Sequence, residues 1–133
     1  MTAGHFSALG KNVLRVGGTI GSPERKTAAV LAYLALEGPT GRSRLAGLLW
    51  PDSEEGTARN NLSQLLRRLK ASTGGELVRT GDALRLSEGL EVDAAQLRAA
   101  VLSGRAEVAA GFSGELLAAH DYDDLPEYSE WLW

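Results

Sequence analysis

The sequence contains no cysteine and only two histidines, His5 and His120. Without cysteine the chain can form neither a disulfide scaffold nor a thiolate zinc site. The two histidines have no partners at metal-ligand spacing, so we predict no metal site. No apolar run approaches the roughly 20 residues that a membrane span needs, and the N-terminus has no signal-peptide pattern. These absences predict a cytoplasmic protein.

Signatures of catalysis are also missing. Gly17, Gly18 and Gly21 do not match a dinucleotide-binding or P-loop pattern. GFSG at residues 111–114 lacks the second glycine of a nucleophile elbow, so Ser113 is interpreted as a loop or cap residue. The acidic residues 121–124 lack the alternating ligands of an EF-hand and are interpreted as a solvated linker or helix cap. We therefore predict no enzymatic activity and no cofactor.

The charge is unevenly distributed along the chain. The net charge of −3 by itself argues against a nucleic-acid partner. However, residues 1–80 carry eleven Lys or Arg and six Asp or Glu, whereas residues 81–133 carry three and eleven. The first part is therefore net positive by 5 and the second net negative by 8. This asymmetry predicts a polyanion-binding part followed by an acidic part that stays off the polyanion, with chance surface charge as the alternative.

Strand-like runs flank three runs with helical spacing in the first ninety residues. β-prone runs lie at residues 6–9 and 13–16, with one more short edge strand within 17–21, and at 77–79 and 83–86 around a tight turn. Apolar residues recur at helical spacing at 24–37, at 42–50 and from 52 to about 72. This order predicts an α+β fold.

Capping residues suggest where two of these helices start. Ser22 as N-cap, with Pro23 at the first helical position, is a favourable start for the first helix. Asp52 followed by Glu55 is a capping-box pattern before the third helix.

A second segment begins after Val92 and Asp93. Helical patterns at 94–102, 105–110 and from Pro126 onward predict a short, all-helical C-terminal part. We therefore divide the chain into a domain at residues 1–93 and a helical segment at 94–133.

Large aromatic side chains indicate where the parts pack. We expect Trp50 to fill the core between the second and third helices and Tyr33 to lie at the core edge. Trp131 and Trp133 are too apolar to stay free. Three arrangements are open for them: packing on the first domain, completion of a further helical domain, or a dimer contact.

The third predicted helix has two chemically different faces. One face carries Leu62, Leu65, Leu66 and Leu69 at spacings of three and four. The other face carries Asn60, Ser63, Gln64, Arg67 and either Lys70 or Ala71. No acid occurs from residue 56 to residue 73. Because Asn and Gln pair with adenine and Arg pairs with guanine in the major groove, this face predicts that the helix at 58–71 reads DNA. A solvated surface charge is the alternative for any single residue.

Residues at the borders of this face extend the predicted contact. For Arg59 and Asn60, near the helix start, contact with DNA phosphates is the alternative to base reading. Arg68 lies toward the flank and is expected on a phosphate or on an intramolecular acid.

Two more elements are predicted to touch DNA. Arg42 and Ser43 begin the second helix, whose N-terminal amides can bind a phosphate. Arg79 and Thr80 lie beside the hairpin turn, which is expected to approach the minor groove or its backbone.

The order of elements and several motifs resemble a known family. Strands, three helices and a two-stranded hairpin resemble the OmpR/PhoB-type winged helix-turn-helix. AYLAL at 32–36, RLA at 44–46, LLWPD at 48–52 and ARNNLSQLLRRLK at 58–70 closely resemble the DNA-binding domain of SARP-type bacterial regulators. GFSGELL at 111–117, with Asp124, Glu127, Tyr128 and Trp131, resembles the opening of the bacterial transcriptional activator domain that follows in this family.

The resemblance implies a fold and a function. The fold is a winged helix-turn-helix with an N-terminal β-sheet, followed by tetratricopeptide-like helices. The function is sequence-specific binding of double-stranded DNA and transcriptional activation at repeated promoter sites, with RNA polymerase as a further partner and a homodimer as an option. A function of a different class also stays open, in which the winged helix or the acidic, tryptophan-containing segment docks a regulatory protein.

Overall fold

Helices and strands combine in an α+β arrangement. The structure, a computed structural model, describes residues 4–10, 12–74, 76–109, 114, 116–117 and 120–132. The strands are β1 (Gly4–Ser7), β2 (Val13–Val16), β3 (Thr19–Gly21), β4 (Val78–Arg79), β5 (Arg85–Leu86) and β6 (Leu90–Val92). The helices are α1 (Arg25–Glu37), α2 (Arg42–Leu49), α3 (Glu55–Thr73), α4 (Asp93–Leu102), α5 (Ala106–Ala109) and α6 (Pro126–Leu132). None of the helices in these ranges is long and apolar enough to cross a bilayer.

A mixed sheet has the strand order β3-β2-β1-β6. β1 and β2 pair antiparallel, with Phe6 opposite Leu14, and β3 continues the antiparallel pairing at the outer edge. On its other side β1 pairs in parallel with β6, where Phe6 lies opposite Val92. Side chains alternate along β2, so Leu14 and Val16 join the buried core beneath the helices.

The sequence pattern does not predict β6. It indicates only that a new segment begins at Val92 and Asp93, and the strand itself is three residues long. Its conformation depends on pairing with β1, which lies more than 80 residues earlier in the chain. Such a long-range contact leaves little trace in local propensity.

β4 and β5 form a separate antiparallel sheet, with Val78 opposite Leu86. The turn sequence between them lies where the sequence predicts it. A bridge joins this hairpin to the loop after α1. The N–H of Thr40 donates to the carbonyl of Leu84 at 2.9 Å, and the N–H of Leu84 donates to the carbonyl of Thr40 at 2.8 Å. The hairpin is therefore tied to the α1–α2 loop through Leu84, on its turn side.

The core is built around α1, which is buried at every position from residue 27 to residue 34. α2 and α3 pack beside it through their leucines. On α3 the buried residues are Ala58, Leu62, Leu65 and Leu69. This apolar stripe turns the opposite side of α3 away from the core.

The predicted start of α1 is wrong. The helix begins at Arg25, and Glu24 is the N-cap, with no capping bond from its side chain. The Glu24 carbonyl accepts the first helical bond, from the N–H of Ala28 at 2.8 Å. Ser22 and Pro23 therefore precede the helix, although Pro23 fits a first-turn position by its φ angle.

The capping box predicted for α3 is also wrong. The helix begins at Glu55, with Glu54 as N-cap. The N–H of Ser53 donates to the Trp50 carbonyl at 3.2 Å, so the chain makes a turn before the helix starts. Asp52 belongs to that turn, and a local turn bond replaces the expected cap.

α4 starts at a residue that holds two distant parts together. Asp93 is 9% exposed, and its carboxylate accepts bonds from the N–H of Ala8 at 2.7 Å and of Leu9 at 3.2 Å. The end of β1 and the start of α4 are thereby tied through charge-assisted hydrogen bonds.

The C-terminal residues pack on α1. Tyr128 is fully buried, and its hydroxyl donates to the carbonyl of Ala29 at 2.8 Å. The Tyr122 hydroxyl donates to the carbonyl of Arg25 at 2.6 Å. Burial raises the pKa of both tyrosines, so both hydroxyls stay protonated donors. Both residues belong to the same apolar cluster as α1. The domain boundary at residue 93 stays a prediction.

Trp131 packs on the first part of the chain, which is one of its three predicted arrangements. Its ring centroid lies 4.7 Å from that of Tyr33, and its Nε1 donates to Glu37 Oε1 at 2.6 Å. Trp50 is partly buried against the core. Trp133 lies outside the described residues, as does Ser113.

Candidate nucleic-acid interface

The outer side of α3 presents the residues that the sequence assigns to it. Asn60, Gln64 and Arg67 are exposed, and Ser63 is half-buried. Residues three or four positions apart are neighbours on a helix, so these side chains form one row. The row is free of carboxylates because α3 carries no acid after Glu55.

A cleft of about 280 Å³ lies between α3 and β4. It brings together five predicted site residues, namely Arg42, Ser63, Arg67, Lys70 and Thr80. They come from α2, α3 and the end of β4, which are separate in sequence. Three leucines and a valine also line the cleft, namely Leu66, Leu69, Leu77 and Val78.

Arg42 connects α2 to α3. Its Nη1 donates to Ser63 Oγ at 2.8 Å. Gly41 is the N-cap of α2 and contributes no side-chain bond. The guanidinium of Arg42 therefore supplies a side-chain hydrogen bond between the start of α2 and α3. The contact holds the start of α2 beside the outer row of α3.

Ser43 and Arg59, two further predicted site residues, are exposed. Ser43 lies in the first turn of α2, and Arg59 lies in the second turn of α3. Neither is drawn into the core.

Glu76 is a cleft residue that sequence reasoning missed. Its carboxylate lies 3.7 Å from Lys70 Nζ, and both side chains are more than half exposed. Glu76 sits outside the helix, in the connection to β4, where the periodicity of α3 carries no information about it. This acid lowers the positive charge of the cleft by one.

The hairpin also carries an arginine that the sequence reasoning missed. Arg79 and Arg85 are exposed and lie directly opposite each other in the register of β4 and β5. Cross-strand partners project from the same face, and two like charges there repel. Strand alternation around the predicted turn is the signal that points to Arg85.

Arg68 takes an intramolecular acid, which is one of its two predicted partners. Its Nη2 lies 3.4 Å from Glu24 Oε2. It thereby faces the start of α1 rather than the cleft at β4. The pair is exposed, so its contribution to stability is small.

The predicted acidic linker at residues 121–124 forms an ion pair with the start of α1. Asp124 accepts two bonds from the Arg25 guanidinium, at 2.6 and 2.8 Å. This contact holds the pKa of Asp124 below its usual value and raises that of Arg25. Within the ranges that the structure covers, no three His, Asp or Glu side chains converge as a metal site.

Compared with known proteins, the chain matches no family model and no curated sequence.

Proposed function

We propose that this chain is a winged helix-turn-helix protein of the OmpR/PhoB type that binds double-stranded DNA. One observation carries the proposal. The side chains of Arg42, Ser63, Arg67, Lys70 and Thr80 converge from three elements on one surface. A hairpin follows α3 directly and is tied to the α1–α2 loop, as a wing is beside a reading helix.

α3 is proposed to enter the major groove with its outer row toward the bases. Gln64 and Asn60 offer amides to adenine, and Arg67 offers a bidentate guanidinium to guanine. Ser63 is already bonded to Arg42, so this pair is suited to setting the position of the helix on the backbone.

The hairpin of β4 and β5 is proposed as the wing. Arg79 and Arg85 lie directly opposite each other in the register of β4 and β5, so each has a like charge rather than an acid as its cross-strand partner. A DNA phosphate or a narrow minor groove relieves that repulsion, because both attract arginine. Thr80, at the end of β4, contributes a hydroxyl to the same contact.

Phosphate contacts are proposed for the outer cations. Arg42, Arg59, Lys70 and Arg79 surround the reading row, together with the amides at the start of α2 near Ser43. With roughly five to seven phosphates neutralised, affinity falls by about 10³-fold between 50 and 200 mM salt.

The regulatory role rests on sequence motifs. LLWPD at 48–52 and the helix after it resemble SARP-type regulators, so we propose transcriptional activation in the cytoplasm, without an enzymatic step. RNA polymerase and a second copy of the chain are proposed as partners on the same basis.

The test is a fluorescence-anisotropy titration with the full chain. Promoter fragments and random duplexes are compared at 50 and 200 mM salt. We expect a small set of fragments to bind more tightly than random DNA, and binding to both to weaken steeply with salt.

Absent binding, or binding that does not change with salt, would contradict the proposal. That outcome would favour the alternative, a module whose helical surface or acidic segment docks a regulatory protein.

A further inference from the structure

A second cleft lies on the other side of α3, between the end of that helix, the β2–β3 edge and the start of α1. Its volume is about 430 Å³. Small-molecule sites typically have volumes of about 300–1,000 Å³. Leu14, Val16 and Leu69 contribute an apolar lining. Of the residues that the sequence predicts on DNA, Arg68 alone lines it.

Thr27 supplies a polar group to this cleft. The residue is only 6% exposed, and within the described residues its hydroxyl forms no hydrogen bond. Among those residues, Asn12 Oδ1 is the one fully buried side-chain polar atom without a partner, so the Thr27 hydroxyl keeps access to the open space of the cleft. The hydroxyl can therefore donate to an oxygen atom of a molecule in the cleft.

Arg68 and Glu24 form the polar end of the same cleft. Their separation of 3.4 Å and their side-chain exposures of 57% and 69% describe a weak, solvent-screened pair. Glu24 and Thr27 are three residues apart at the start of α1 and so lie on one side of the chain. A carboxylate that replaces Glu24 beside Arg68 also comes near the Thr27 hydroxyl.

We propose that this cleft binds a small amphipathic organic acid. Its apolar body packs on Leu14, Val16 and Leu69. Its carboxylate pairs with Arg68 in place of Glu24 and accepts a hydrogen bond from Thr27. The site is separate from the proposed DNA surface at β4.

The test uses octanoate as the probe and octan-1-ol as the matched uncharged molecule. Each is titrated into the ¹⁵N-labelled full chain without DNA, and amide shifts are followed by NMR. We expect saturable shifts at Thr27 and Leu69 with octanoate, and binding of octan-1-ol about fivefold weaker.

Two substitutions test the contacts, and one serves as control. Thr27→Val keeps the side-chain shape and weakens octanoate binding by about fivefold, since it removes one hydrogen bond. Glu24→Gln removes the competing carboxylate and tightens binding by about threefold. Thr57→Val, an exposed change on α3 outside the cleft, leaves binding unchanged.

Three results overturn the proposal: no saturable shift at Thr27 and Leu69, unchanged affinity in both Thr27→Val and Glu24→Gln, or equal affinity for octan-1-ol. Circular dichroism checks that Thr27→Val is folded. If it is not, Glu24→Gln decides, because Glu24 is exposed and its change does not disturb the core.

Discussion

Arg42 donates a hydrogen bond from Nη1 to the Oγ of Ser63 at 2.8 Å, and this contact joins the start of α2 to the outer row of α3. The two residues are 21 positions apart, so the bond exists only when the two helices are packed together. It connects the packing of the helices to the shape of the proposed DNA surface.

A double-mutant cycle measures that connection. We expect Arg42→Ala and Ser63→Ala to show a coupling free energy of about 0.5–1.5 kcal/mol in urea unfolding, because either change breaks the same bond. Ser43→Ala, at the next residue of α2, is the control and should show no coupling to Ser63. Strictly additive effects for the Arg42 and Ser63 pair would mean that the bond does not form in solution.

Arg67 is expected to carry base preference. Arg67→Ala should weaken binding to the preferred DNA by about 1–3 kcal/mol and relax the preference at one base pair. Arg105→Ala removes an exposed arginine from the acidic part of the chain and should change affinity by less than about 0.5 kcal/mol. Anisotropy titrations at fixed salt make the comparison. If Arg67→Ala and Gln64→Ala both leave affinity unchanged, α3 is not the reading helix.

Asp93 is expected to be important for stability rather than for binding. Asp93→Ala leaves the N–H groups of Ala8 and Leu9 without their acceptor, so we expect a loss of about 2–4 kcal/mol in the free energy of unfolding. Asp82→Ala, at an exposed residue in the hairpin turn, should cost less than about 0.5 kcal/mol. Urea unfolding followed by circular dichroism compares them, and equal losses would contradict the role of Asp93.

Asp124 is expected to make stability depend on acid pH. The hydrogen bond from Arg25 holds the pKa of Asp124 below its unfolded value. Its contribution is therefore present above the unfolded value, about 4, and disappears as the pH falls through the lower folded value. The contribution is small because the carboxylate is largely exposed.

The pH dependence of the unfolding midpoint between pH 2 and 6 tests this. Asp124→Asn should flatten the dependence, whereas Asp123→Asn should leave it as in the parent chain. An identical pH profile for Asp124→Asn and the parent would show that the pair with Arg25 adds nothing to stability.

Local pattern determined most of the elements. The apolar spacing identified α1, α2 and α3, and the leucines of α3 indicated which side faces the core. The turn sequence between β4 and β5 indicated the hairpin. These features follow from neighbours within a few residues, through the period of 3.6 along a helix and the chemistry of turns.

Only the tertiary structure decided which distant residues meet. It brought Glu76 beside Lys70, Arg85 opposite Arg79, and Glu24 to Arg68. It also placed the start of α3 at Glu55, later than an N-cap at Asp52 predicts. These outcomes depend on contacts between segments far apart in the chain, which compete with local preference. The basic outer row of α3 was therefore determined by the sequence. The position of Glu76 beside Lys70 and the hydrogen bond from Arg42 to Ser63 were determined by packing.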